Sequence, residues 1–148
     1  KIVTKNGNTI YFEDNKEGEG EKDKIHIITA QSGHRLELDN ERHLIVLSDK
    51  EGKNQIQMKT ENGQMEITAE KKLTIKVGDN IELILNGSNG AVQLKASKVK
   101  LEVSGNINLE SNGAMKLTAS NISAEANAAL KLNSSGLISL AGTPIKLG

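Results

Sequence analysis

The chain has 148 residues, enough for one domain with a hydrophobic core, and its 19 lysine and arginine residues balance 19 aspartate and glutamate residues. Without a basic run, the charge pattern disfavours a nucleic-acid or membrane-surface function. Aromatic residues make up 1% of the chain and cysteine is absent, which disfavours a ring-lined ligand pocket, a disulfide framework and a thiolate metal site. No apolar run approaches the roughly 20 residues of a membrane span, and no signal peptide is evident.

Residues 1–64 are predicted to form a less regular β region that contains duplicated segments. Residues 7–14 parallel residues 33–40, and residues 24–29 parallel residues 55–60. The alternation of apolar and polar residues in these segments is typical of strands with one buried face. Residues 14–23, by contrast, are rich in charge and predict a solvated loop between strands.

Residues 65–148 are predicted to form a regular β repeat of seven- and eight-residue units. From Val92 onward, two columns of apolar residues recur two positions apart, with steps of 7, 8, 8, 7, 8, 8 and 7 residues. Small residues follow two positions later, and glycine or asparagine recurs at the corners, where tight turns favour them. The columns give the predicted core: Val92, Leu94, Val99, Leu101, Ile107, Leu109, Met115, Leu117, Ile122, Leu130, Leu132, Ile138, Leu140, Ile145 and Leu147.

This repeat predicts an all-β fold without helix, in which each one-faced strand needs a cover from elsewhere. A meander in a sandwich or barrel fits less well, because such folds use strands of varied length and bulky residues. A single-chain solenoid and an intertwined homotrimer both satisfy the period. The scarcity of rings favours the homotrimer, a triple-stranded β-helix or β-prism, because medium-sized side chains fill its narrow interior.

Three segments of the sequence resemble segments of a known family. The order SGHRLELDN, then NQIQMKT, then short units ending in AGTPIKLG resembles the C-terminal spike of VgrG proteins, found in type VI secretion and related contractile injection systems. The resemblance covers essentially the whole chain and implies a trimeric β-helical needle below a hub. That hub is expected to precede Lys1 and is absent from this sequence.

The resemblance also implies partners and a binding site. A conical PAAR-repeat protein, with its effectors, is expected to bind the blunt C-terminal tip, while the hub, baseplate and tube lie at the other end. The target membrane is contacted only transiently, and the assembly forms in the cytoplasm before it is injected. The predicted tip-binding residues are Gly142, Thr143, Pro144, Ile145, Lys146, Leu147 and Gly148.

The function expected from this likeness is mechanical: a cell-puncturing shaft that transmits force. No enzyme activity or cofactor is predicted, because the chain has no cysteine, no G-x-S-x-G elbow and no aromatic platform beside its carboxylates. The alternatives are a trimeric phage fibre or adhesin stalk, a single-chain solenoid that forms filaments, and a glycan-cleaving tailspike without an evident site.

The three histidines are the side chains of this sequence that most resemble metal ligands. His26 alternates out of phase with its apolar neighbours and is expected to face solvent, whereas His34 shares the phase of Leu36 and is the one candidate for an inward position. His43 opens a run that is apolar on both phases, so its direction is open. No metal site is predicted.

Overall fold

The computed structural model describes residues 1–14 and 20–146 and confirms that the protein is all-β. Ten strands form two antiparallel sheets, and the helical content of the described residues is one short 3-10 turn, Gly20–Lys22. Half of the predicted charged loop, residues 15–19, lies outside the described residues. Contacts divide the chain into two units, Lys1–Leu101 and Glu102–Gly148.

Seven strands in chain order make the first sheet. They are β1 (Ile2–Val3), β2 (Thr9–Glu13), β3 (Lys24–Ile28), β4 (Arg35–Asp39), β5 (Leu44–Ser48), β6 (Gln55–Lys59) and β7 (Gln64–Thr68). The second sheet comprises β8 (Lys72–Val77), β9 (Ile81–Asn86) and β10 (Ala91–Lys95). The predicted duplicates fall on β2 with β4 and on β3 with β6.

Each strand pairs antiparallel with the next strand of its sheet, so both sheets are meanders. The short, uniform units argued against a meander, and that expectation is wrong for these two sheets. The expectation fails because the spacing of the turn residues lets each short strand fold back on the strand before it. Neither sheet closes into a barrel.

The pairing register gives the first sheet two chemically different faces. Leu38 lies opposite Ile45, which lies opposite Met58, whereas Glu37 lies opposite Val46 on the other side. Because side chains alternate along a strand, every strand contributes apolar residues to one side. We call this side the apolar face: Ile2, Ile10, Phe12, Ile25, Ile27, Leu36, Leu38, Ile45, Leu47, Ile56, Met58, Met65 and Ile67. The opposite side is the polar face.

Hydrogen bonds between turns stabilise the first sheet at both ends of its strands. Asn8 Oδ1 accepts from the Ala30 amide at 2.9 Å, and Asn54 Oδ1 accepts from the Glu70 amide at 3.1 Å. At the opposite ends of the strands, the Thr60 amide donates to the His43 carbonyl at 2.9 Å. Each bond links one turn to the next turn at the same end of the sheet, so the hairpins are held in one register.

The Gly33→Ala variant is expected to destabilise the first sheet more than the Gly63→Ala variant. Both glycines have a left-handed backbone, with φ of 65° and 62°, which costs an alanine roughly 1–2 kcal/mol. A Cβ on Gly33 would also lie 2.8 Å from Lys50 Cγ, whereas a Cβ on Gly63 meets no atom within 4 Å. We therefore expect a further loss of about 1–3 kcal/mol at Gly33. Urea unfolding followed by circular dichroism measures both, and equal losses would contradict the predicted clash.

The regular repeat does not form strands beyond Lys95 in one copy of the chain. Its first unit, with Met65 and Ile67, lies on β7 of the first sheet, the next units lie in the second sheet, and residues 96–146 contain neither helix nor strand. A strand needs a neighbour to receive its backbone hydrogen bonds, and side-chain alternation alone supplies none. The repeat pattern alone therefore does not produce strands in residues 96–146.

Candidate functional site

The predicted core residues are all exposed in the single chain. Their exposed fractions run from 49% at Ile138 to 74% at Leu109, and Leu147 lies outside the described residues. Val92 and Leu94 share one side of the second sheet with Leu85 and Leu83, directly opposite in the register. Apolar side chains arranged in columns and left this open require a cover that one copy does not provide.

The whole chain exposes far more surface than a folded monomer. Its accessible area is 13312 Å². A compact monomer of 15.9 kDa exposes about 7,400 Å² by the usual scaling with mass. An excess of this size exceeds the roughly 800 Å² that each partner buries in a standard interface.

The predicted tip residues are also exposed. Gly142, Thr143, Pro144, Ile145 and Lys146 carry no helix or strand, while Leu147 and Gly148 fall outside the described part of the chain. The tip-binding assignment therefore stays a prediction.

Burial in the first sheet is concentrated on the polar face, opposite the side that alternation would suggest. In residues 1–14 and 20–146 the buried residues are Glu37, Asp39, Val46 and Ser48, and all four lie on this face of β4 and β5. On the apolar face, Phe12 and Met65 are each 60% exposed. The polar face is thus covered by the chain itself, and the apolar face is not.

A charged cluster provides that cover; we call it the Glu37–Asp39–Arg42 cluster. Arg42 lies in the turn after β4 and folds back, so that its backbone amide and its Nε donate to the two Asp39 oxygens at 2.9 and 2.6 Å. Its second guanidinium nitrogen donates to Glu37. Lys24 Nζ lies 3.4 Å from Asp39 Oδ2, and Arg35 Nε donates to Ser48 Oγ at 3.0 Å.

The electrostatics of the cluster favour the ionised carboxylate. Burial acts to raise the pKa of Asp39, but hydrogen bonds from the Arg42 amide and guanidinium and from Lys24 outweigh it and lower that pKa to about 2. The hydrogen bond to Glu41 raises the pKa of Lys24, and the bond to Asp39 raises the pKa of Arg42. The cluster is therefore a fixed, ionised network with a structural role.

Acid is expected to weaken the first sheet through Asp39. The pKa of this group is lower in the folded protein than the usual 3.8, so its contribution is complete above about pH 4 and is lost as the pH falls toward 2. An Asp39→Asn variant should be less stable at pH 7 and lose less stability between pH 4 and pH 2. Urea midpoints across this range measure both slopes, and parallel slopes would exclude Asp39 as the source.

The histidines are not arranged as metal ligands. His26 lies on the polar face, as its phase predicts, yet it does not face solvent: its side chain is 12% exposed and stacks on Tyr11, with ring centroids 4.4 Å apart. Tyr11 lies directly opposite in the register and covers it. His34 and His43 are exposed in turns. Across the described ranges, no three His, Cys, Asp or Glu side chains are placed to hold a metal ion.

An open groove of about 800 Å³ lies beside the charged cluster. Its walls include Glu21 and Lys22 from the 3-10 turn, Asp39 and Glu41 around β4, and Thr60 after β6. The His43 imidazole also lines it, and Lys24 lies beside the carboxylates of Asp39 and Glu41. The Thr60 hydroxyl donates to the His43 backbone carbonyl at 3.0 Å, whereas an activated nucleophile would donate to a base.

Sequence reasoning missed the charged cluster, although a signal was present. Glu37 and Asp39 alternate with Leu36 and Leu38, which reads as an ordinary solvated strand face. The pairing register puts Val46 and Ser48 beside them, and Arg42 reaches both carboxylates from the adjacent turn. An arginine three residues after the second acid is the local feature that pointed to it.

The comparisons give no family for the chain. No protein-family profile matches it, and a search of curated proteins finds no match either. The described residues contain no helix that is both long and apolar enough to cross a membrane.

Proposed function

We propose that three copies of this chain form the shaft of a cell-puncturing spike of a contractile injection system, and that its C-terminal tip carries a capping protein. The observation that supports this most is the pair of exposed apolar columns in residues 92–145, on a chain that exposes 13312 Å². Two further copies supply the missing cover, because identical columns from three chains meet around a common axis.

The strand pairing divides the shaft into two kinds of wall. Within residues 1–68, and again within residues 72–95, consecutive strands of one chain pair with each other, so each chain contributes two sheets to the walls of a three-sided prism. Beyond Lys95, where one chain forms no strands, we propose that strands of the three chains pair with one another and wind into a needle. Each eight-residue unit then advances one strand spacing, roughly 4.8 Å, along the axis.

This architecture suits a mechanical role. In the wound section no strand can leave without breaking hydrogen bonds to strands of other chains, so axial load is shared among all three. Charges of both signs at the alternate positions, such as Lys116 and Glu125, keep the outer surface soluble. The stability that matters to such a part is slow unfolding.

The experiment is in two steps on the full chain. Sedimentation equilibrium should give a single species of three times the 15.9 kDa chain mass, and sedimentation velocity should show it to be elongated. The trimer should then bind a PAAR-repeat protein with one copy per trimer, and a Lys146→Glu variant, changed at a predicted tip residue outside the core columns, should stay trimeric and lose this binding. A monomer would refute the shaft, and filaments without a discrete trimer would favour the solenoid. A trimer that bound glycan but no PAAR-repeat protein would favour the fibre stalk.

A further inference from the structure

We propose that the apolar face of the first sheet is the surface through which copies of this chain first associate, and that this contact sets the register in which residues 96–146 wind together. The occupants of the face are the same faces of the second and third copies. The inference rests on the proposed trimeric shaft and adds to it an order of assembly and a nucleating surface.

The apolar face is large and continuous. With seven strands of up to five residues, it measures about 34 Å by 17 Å. None of its positions in the seven strands carries a charge or a polar group. Monomeric proteins rarely expose a contiguous apolar patch larger than a few hundred Å². A patch of this extent, with side chains such as Ile56 and Ile67 at 36% and 49% exposure, is an interface.

The chemistry of the two faces points to a copy of the same chain as the partner. An uncharged face offers no electrostatic complement to a charged protein, nucleic acid or acidic lipid. The same face of another copy matches it in composition and in area. The polar face is a poor match for another copy, because it carries exposed charges such as Glu13, Lys59 and Glu66, which lose their hydration when buried.

The first sheet also has what a nucleus needs: it is complete within one chain. Its inner strands, β2 to β6, have a paired strand on both sides, and side chains such as Asn8 and Asn54 fix the turns. Local pairing of this kind forms quickly. Residues 96–146 have no intrachain strands and must wait for other chains.

A nucleus of this kind fixes the register in which the three chains pair with one another. Units of seven or eight residues repeat with similar apolar columns, so a slip of one unit between chains leaves apolar residues facing inward. The repeat therefore specifies its own register weakly. When three first sheets meet through their apolar faces, equivalent residues of the three chains are aligned before residues 96–146 wind together.

The test follows refolding of the full chain from urea at several concentrations by pulsed hydrogen exchange. We expect protection in residues 24–68 to appear first, at a rate independent of concentration, and protection in residues 102–146 to appear later, at a rate that rises with concentration. The Ile56→Lys variant should keep the early protection and form trimer at least tenfold more slowly. The control is Gln57→Lys, which adds the same charge on the polar face and should assemble like the wild type.

The outcomes separate this inference from the proposed function. A wild-type trimer whose assembly rate is unchanged by Ile56→Lys, or whose residues 102–146 gain protection first, overturns the nucleating role and leaves the shaft intact. A wild-type monomer overturns both, including the case in which residues 102–146 of the same chain cover the face. If Ile56→Lys loses the early protection itself, Met65→Lys decides in its place, because Met65 is 60% exposed on the last strand of the sheet.

Discussion

The Leu117→Asp variant is expected to abolish trimer assembly at every accessible protein concentration. Leu117 belongs to the predicted core and is 73% exposed in the single chain. In the proposed needle the substitution places three carboxylates together near the axis, each without a partner. Removing an unpaired charge from water costs several kcal/mol, and the three like charges also repel each other. Sedimentation velocity should show the loss of the trimer directly.

The control for Leu117→Asp is Lys116→Asp, one position away on the opposite phase of the repeat. It introduces the same side chain at a site that should face solvent, so trimer formation should be unchanged. Because Leu117 is exposed in the single chain, neither substitution would affect the folding of a protein that functions as a monomer. A trimeric Leu117→Asp protein would contradict the assignment of the two faces.

The local elements were accessible from the sequence because side-chain alternation reports directly on strands. The segments around Leu36 and Ile56 were predicted as strands, and they are β4 and β6. The direction in which consecutive strands pair was not accessible, since alternation is the same in a meander and in a wound prism. Turn geometry between particular strands decides that question.

The candidate site was only partly predictable for a different reason. Exposed columns such as those of Leu109 and Leu140 were visible as a pattern, but the pattern does not identify what covers them. The Glu37–Asp39–Arg42 cluster depends on which residues face each other across strands, and it appears only with the register. His26 shows the same limit: its phase was predicted, but its cover by Tyr11 was not.

The Arg42→Met variant is expected to cost the first sheet about 2–3 kcal/mol at pH 7. The side chains of Glu37 and Asp39 are 6% and 0% exposed, and Arg42 is the group that bonds to both. Removing one partner from a buried pair costs about 3–5 kcal/mol. The lower figure expected here reflects the exposure of Arg42 and the Lys24 ammonium that stays beside Asp39. Urea unfolding followed by circular dichroism measures the loss.

The matched control is Lys53→Met, which removes a cation from an ion pair with Glu51 and Glu70, both of them exposed. Such surface pairs contribute about 0–1 kcal/mol, so this variant should unfold nearly like the wild type. Adding Glu37→Gln to Arg42→Met should recover part of the lost stability, because it removes a buried charge whose remaining cation is Arg35, with its Nε 3.9 Å away. Equal losses in Arg42→Met and Lys53→Met would show that the cluster is no stronger than a surface pair. The cover of the polar face would then depend on packing alone.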